Sequence, residues 1–238
     1  MLYKTRGIVL NKIMHTDHKM IVHIFTSEYG YKSYMHYFSL QKNRKKHSLS
    51  LHPMSVVELV AEQKNNVSLE YIKEVRLIHT SNPYEFDVLK SSVVQFLNEV
   101  LLKILCQCGC DEDMYLYIEN SLVNFQHKEF SPDFHLRFLL HLTKYFGCFP
   151  ENNYSEKYKT FNYQTACFDD NGSNPAETEI SAWIHILLKQ ELFSNDKELK
   201  PPYHLRNKIL QSILSYYTMH ISNIKGLKSL EVLNVILR

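Results

Sequence analysis

The sequence predicts an α+β protein, with short strands over the first 80 residues and helices from there to residue 238. Three observations predict it. β-Branched and aromatic runs broken by turn residues fill the N-terminal third. Beyond Pro83, apolar residues recur at three- and four-residue spacing. Ser131-Pro132 and Asn174-Pro175 stand where such stripes begin, with a capping residue before a proline.

In order, the strands are Lys4 to Met14, Met20 to Thr26, Tyr31 to Leu40, Met54 to Gln63 and Leu69 to Ile78. Ser27-Glu28-Tyr29-Gly30 and Lys64-Asn65-Asn66 are turns, and a basic loop precedes the fourth strand. Five short strands with one long connection point to a small barrel or a sandwich. The first helix carries Leu89, Val93, Leu97, Val100 and Ile104, and the second Tyr115, Ile118, Leu122 and Phe125. A third starts at Ser131 with the stripe Phe134, Phe138, Leu142 and Tyr145; a fourth opens at Asn174 and carries Ile180, Trp183 and Leu187. Pro201-Pro202 precedes a fifth, and Leu227 to Leu237 closes the chain. Residues 148–173 form a polar connector, and the boundary between the two regions falls near Thr80 to Pro83.

Composition narrows the function. At 45% hydrophobic and 22% charged, the chain is not disordered. It holds no apolar stretch of the roughly 18 residues that a spanning helix needs. Its N-terminus has no apolar signal core, so a cytoplasmic protein is expected. The six glycines are dispersed, which excludes a dinucleotide fingerprint and a phosphate-binding P-loop. HExxH and GxSxG are absent, so no enzymatic activity is expected. Five cysteines, an odd number, fit reduced thiols.

Charge is unevenly placed. Residues 1–52 hold nine lysines and arginines against Asp17 and Glu28, while the whole chain carries only +2, so the remainder is net acidic. Lys42, Arg44, Lys45 and Lys46 fall within five residues and can bridge successive phosphates. They follow a strand bearing Tyr34, His36, Tyr37 and Phe38. Aromatic rings beside a cationic rim make a surface for single strands, although strands bury every second residue and some of these rings belong to the core. A solvated, lysine-rich loop that aids solubility is the competing account of the charge.

Other clusters carry less. Cys106, Cys108 and Cys110 end an apolar helix, with Gly109 as its C-cap, and read as small buried thiols rather than a metal site. His15, Asp17 and His18 sit in a turn and read as surface residues, and Trp183 as core. The segment Lys225 to Leu233 reads as a terminal helix or as a holder for an acidic, hydrophobic-ended peptide.

Thr5-Arg6-Gly7-Ile8-Val9-Leu10, then Asp17, Ile21 to Thr26 and Glu28-Tyr29-Gly30, resemble the N-terminal domain of the RecO family. Met54 to Leu59 and Lys73 to Arg76 continue the likeness, as do Phe134 to Leu140 followed by Gly147-Cys148-Phe149-Pro150, and Leu227 to Leu233. The resemblance implies an OB-fold over residues 1–80 and a helical domain over 81–238. It implies a recombination mediator that binds single- and double-stranded DNA, anneals complementary strands and helps load recombinase on coated DNA. The partners implied are RecR and the C-terminal tail of single-stranded DNA-binding protein. DNA is then expected on Arg6, Lys32, Lys42, Arg44, Lys45 and Lys46, with Tyr34 or Tyr37 as stacking rings. The tail peptide is expected on Arg206, Lys225 and Lys228. Zinc-bearing family members have two CxxC pairs after the G..P stretch; here only Cys167 follows Pro150, so no metal or other cofactor is expected, and residues 148–173 keep the connection without one. A protein-interaction scaffold with no DNA binding of its own is the alternative.

Overall fold

The computed structural model describes residues 1–37, 51–63, 69–79, 87–171, 174–193, 199–222 and 224–237. Five strands, β1 (Leu2–Thr16), β2 (Lys19–Thr26), β3 (Gly30–Tyr37), β4 (Val56–Glu62) and β5 (Glu70–His79), close into a barrel in the order β1-β2-β3-β5-β4. β4 pairs back onto β1, and only β3 and β5 run parallel. This is the OB-fold, so the barrel and not the sandwich is the outcome. β1 serves two neighbours by bending, with a register shift between Val9 and Asn11. Gly7, just before that shift, has no side chain because a Cβ there would lie 2.3 Å from Ile24 Cγ2. The interior is filled by Val9, Val22, Ile24, Tyr34, Val57 and Leu59, all fully buried.

Two helices follow, α1 (Val88–Leu105) and α2 (Glu112–His127). Asp87 and Asp111 cap them, accepting from the amides of Lys90 at 3.0 Å and Met114 at 2.8 Å. The chain divides into two compact units, Met1–Glu129 and Phe130–Arg238, so both helices group with the barrel. The change in sequence pattern near residue 80 therefore marks the end of the sheet at His79 and not the end of the unit. The reason is packing: Phe25 of β2 meets Tyr115 of α2 with ring centroids 6.3 Å apart. The turn before β3 also presses on the chain beyond α1. Gly30 has φ of 66°, and a Cβ there would lie 2.4 Å from the Gly109 carbonyl. Tyr31 N–H donates to Cys108 O at 3.2 Å, and Cys110 Sγ–H donates to Ser27 O at 3.2 Å. These contacts hold the cysteine segment on the surface: Cys106 and Cys110 are exposed and Cys108 half-buried, not the buried thiols expected.

The second unit contains α3 (Phe134–Leu142), a single 3₁₀ turn (Thr143–Phe146), the short strands β6 (Thr160–Asn162) and β7 (Cys167–Asp169), then α4 (Pro175–Lys189), α5 (Tyr203–His220) and α6 (Ser229–Ile236). Six helices thus lie among the described residues. Every residue of α3 except His141 is buried. It starts two residues later than Ser131-Pro132 predicts. Ser131 and Asp133 are not available as caps, because the Ser131 hydroxyl donates to Asp133 at 2.5 Å and Arg137 takes both. The Arg137–Asp133 pair, 3.4 Å apart, is almost completely buried. By contrast Asn174 caps α4 as predicted, accepting from the Ala176 amide at 3.0 Å. Trp183 of α4 is half-buried rather than core.

His135 of α3 is 2% exposed, and burial pushes its imidazole down to about 4. A base whose pKa is lowered by folding is protonated first in the unfolded chain. Stability contributed by this site is therefore complete above the unfolded value near 6.5 and falls as pH drops toward 4, by about 3 kcal/mol. Urea titrations between pH 7 and pH 4 on the parent and on His135→Gln will show the variant losing less stability over that interval.

The connector is a folded element. β6 and β7 pair antiparallel, with Phe161 opposite Phe168. The Asn153 side chain donates to Phe168 O at 3.0 Å and accepts from Phe168 N at 2.7 Å, doing the work of a third strand. Phe168 is ringed by Phe161 at 5.2 Å, Tyr154 at 5.4 Å and His185 at 6.1 Å, and Tyr216 of α5 meets Phe161 at 5.7 Å.

Candidate nucleic-acid interface

Cross-strand partners in an antiparallel pair point to one face of the sheet. Val22 pairs with Tyr34 and both are fully buried, so that set faces inward. Lys19 pairs with Tyr37, which is 51% exposed, and this set faces outward. Tyr34 is therefore corrected from a stacking ring to a core residue. Its hydroxyl lies 3.1 Å from that of Tyr3, and burial pushes its phenol up to about 12. Of the two, Tyr37 is the ring that the barrel presents.

Tyr37 has company that its own strand does not reveal. The Lys19 ammonium lies 5.2 Å from its ring centroid, and Tyr71 of β5 stacks with it at 5.9 Å and 15°. Tyr71 arrives there because β5 runs parallel to β3, with Met35 opposite Tyr71. Farther along the same outward set, His23 and Tyr31 stack at 5.7 Å and 11°. Partial burial pushes His23 down, which favours a neutral imidazole. β3 ends at Tyr37, so the segment carrying Lys42, Arg44, Lys45 and Lys46 starts from the end of the strand that bears this ring. Those four residues lie outside the described residues.

The other two barrel cations expected on DNA are engaged within the fold. Arg6 Nη2 donates to Glu119 of α2 at 2.6 Å, where the carboxylate is 8% exposed. Desolvation pushes the Glu119 carboxyl up, and Arg6 opposes that shift. Lys32 Nζ lies 2.7 Å from Glu70, which is 6% exposed and also accepts from the Tyr3 hydroxyl. Burial, and then that hydrogen bond, raise the Tyr3 phenol. On the β1–β4–β5 side, Lys4 and Arg76 share Glu58 at 3.1 and 3.2 Å, and Lys73 meets Glu62 at 3.0 Å. The Lys4 hydrogen bond, with Arg76 nearby, holds the Glu58 carboxyl below its usual range. That side offers an anion little uncompensated charge.

Truncating Arg6 to alanine leaves Glu119, on the buried face of α2, without its counter-ion. A loss of about 1–3 kcal/mol is expected, less than for a fully buried pair because Arg6 is half exposed. Urea unfolding checks this, and Arg6→Ala with Glu119→Leu will recover part of the loss.

In the second unit, the three cations expected to hold a peptide do not converge. Arg206 Nε donates to Pro201 O at 3.0 Å, and the residue lines a cavity of about 270 Å³ with His135, Leu210 and Leu233. Lys225 lines a separate groove of about 400 Å³ with Leu214, Met219, Ile224 and Leu227. Lys228 is exposed at the start of α6 and borders neither. Desolvation lowers the Arg206 guanidinium, with Asp133 opposing it.

Among the described residues, no three His, Cys, Asp or Glu side chains are grouped to hold a metal ion, and no helix is long and apolar enough to cross a membrane.

The family model described as "Recombination protein O N terminal" matches residues 1–81, the extent of the barrel. The DNA repair protein RecO of Azobacteroides pseudotrichonymphae is 33% identical over 241 residues, covering 98% of both chains. That of Flavobacterium psychrophilum is 29% identical over 235 residues, again covering 98% of each. Likeness over this length takes in the helical unit as well as the barrel, and the chain belongs to the RecO family.

Proposed function

We propose that this chain is a non-enzymatic, DNA-binding mediator of recombinational repair. The observation that carries the reading is the outward face of β2–β3, where Tyr37 stands exposed between Lys19 and Tyr71 at the root of the basic segment. The family's other members support it, being named DNA repair proteins. Annealing is limited by repulsion between two phosphate backbones and by the proteins that coat each strand. Lys42, Arg44, Lys45 and Lys46 would lower the first barrier by displacing condensed counterions. Docking on the acidic tail of the coat protein would lower the second by raising the effective concentration at coated DNA. On this reading the barrel holds single- or double-stranded DNA and the helical region meets partners, RecR among them, in the cytoplasm on the nucleoid.

For the tail, the Arg206 cavity suits a carboxylate beside an apolar side chain, since Leu210 and Leu233 border it. The Lys225 groove is its rival. Anisotropy of a labelled acidic peptide ending in phenylalanine separates them: binding lost in Arg206→Ala and kept in Lys225→Ala assigns the cavity, and the converse assigns the groove. For DNA, the test is binding of a labelled single strand across a salt series. A steep inverse dependence is expected, and no binding at low salt would leave a scaffold without DNA affinity.

A further inference from the structure

We infer that Lys19, Tyr37 and Tyr71 form a subsite that selects unpaired bases over paired ones. The inference rests on the DNA-binding reading and names what this face recognises. β3 lies between β2 and β5, so Lys19 and Tyr71 flank Tyr37 from opposite sides. The ammonium sits 5.2 Å from the ring centroid and the second ring stacks at 5.9 Å, yet Tyr37 remains 51% exposed at the end of its strand.

A base and an ammonium are competitors for one aromatic face, because both are drawn to its π-system. In the unbound protein Lys19 occupies Tyr37. When an unpaired base takes the ring, the ammonium is released to the adjoining phosphate, and one lysine serves both states. Tyr71 keeps the Tyr37 ring oriented through the exchange and offers a second stacking surface. A duplex has its base faces covered by neighbouring pairs, so it meets only the lysine of this site. The subsite therefore separates the two forms of DNA by stacking, while the basic segment attracts both by charge.

A purely structural role is the competing account, since a ring pair and a cation–π contact each stabilise a sheet modestly. That account moves stability and leaves the ratio of single-strand to duplex affinity alone. The experiment uses the full chain with a labelled thymidine oligonucleotide and a duplex of the same length, in parent, Tyr37→Ala, Tyr37→Phe and Lys19→Ala proteins. Tyr37→Ala is expected to weaken single-strand binding by about 5- to 100-fold, with an unchanged salt slope and duplex affinity within about twofold. Tyr37→Phe is expected to bind as the parent does. Lys19→Ala is expected to flatten the single-strand salt slope by about 0.7. Equal losses on both DNA forms, or no loss on either, would overturn the subsite while the DNA-binding reading stands. A parent protein that binds neither DNA form would overturn that reading itself, and the subsite with it.

Discussion

Replacing Lys42, Arg44, Lys45 and Lys46 together with alanine will flatten the log–log salt dependence of single-strand binding by about 3. Each phosphate contact on a single strand contributes about −0.7 to that slope, and the four cations stand within five residues. The affinity lost will be greatest at low salt and will shrink as salt rises, because the parent loses its advantage as counterions return. Duplex binding will fall too, since these side chains meet phosphate and not bases. Fluorescence anisotropy across a salt series reads both quantities. A slope left unchanged in the variant would move the main phosphate contacts to another part of the chain.

The second large effect lies in the helical unit. Phe168→Ala will destabilise the helical unit by about 3–5 kcal/mol. The ring is 1% exposed and fills the centre of the connector, against Phe161, Tyr154 and His185. Removing it leaves a cavity that the two short strands cannot close, since the Asn153 side chain clamps the Phe168 backbone from both its amide and its carbonyl. Phe168→Leu, which retains most of the volume, will lose much less. Urea unfolding followed by the fluorescence of Trp183, the single tryptophan, measures the difference. A loss below about 1 kcal/mol in Phe168→Ala would mean that the connector contributes little to the unit's stability.

Strands and helices could be read from the chain because each is encoded by its own residues. Runs such as Met20 to Thr26 announce β2, and Asn174-Pro175 announces the start of α4. Which face of a strand meets the core is a different matter. Tyr34 and Tyr37 stand three residues apart, so they must point to opposite faces, yet nothing within β3 says which points outward. The register with β2 decides it, setting Tyr34 against Val22 and Tyr37 against Lys19.

Contacts between distant segments were hidden for the same reason. Arg6 looks like a cation for phosphate until Glu119, 113 residues away, is placed beside it. Tyr71 carried a usable signal, since it alternates with the buried Glu70 and Ile72 in β5, but its stacking on Tyr37 arises only from the parallel pairing of β3 with β5. Ser131-Pro132 carries a capping signature, but a buried arginine takes the Ser131 hydroxyl, so α3 starts late. The cysteine segment looked like the buried end of a helix; its surface position follows from Gly30 pressing on Gly109, a contact between two residues far apart in the sequence.

On the proposed reading, DNA lies along the outward β2–β3 face of the barrel and the segment that follows it. Photo-crosslinking tests it most directly, using the full chain and a single strand carrying 5-iododeoxyuridine, with the adducts mapped by mass spectrometry. Adducts are expected at Tyr37 or Tyr71 and within residues 38–50. Adducts confined to residues 130–238, or none at salt concentrations where the complex forms, would contradict it.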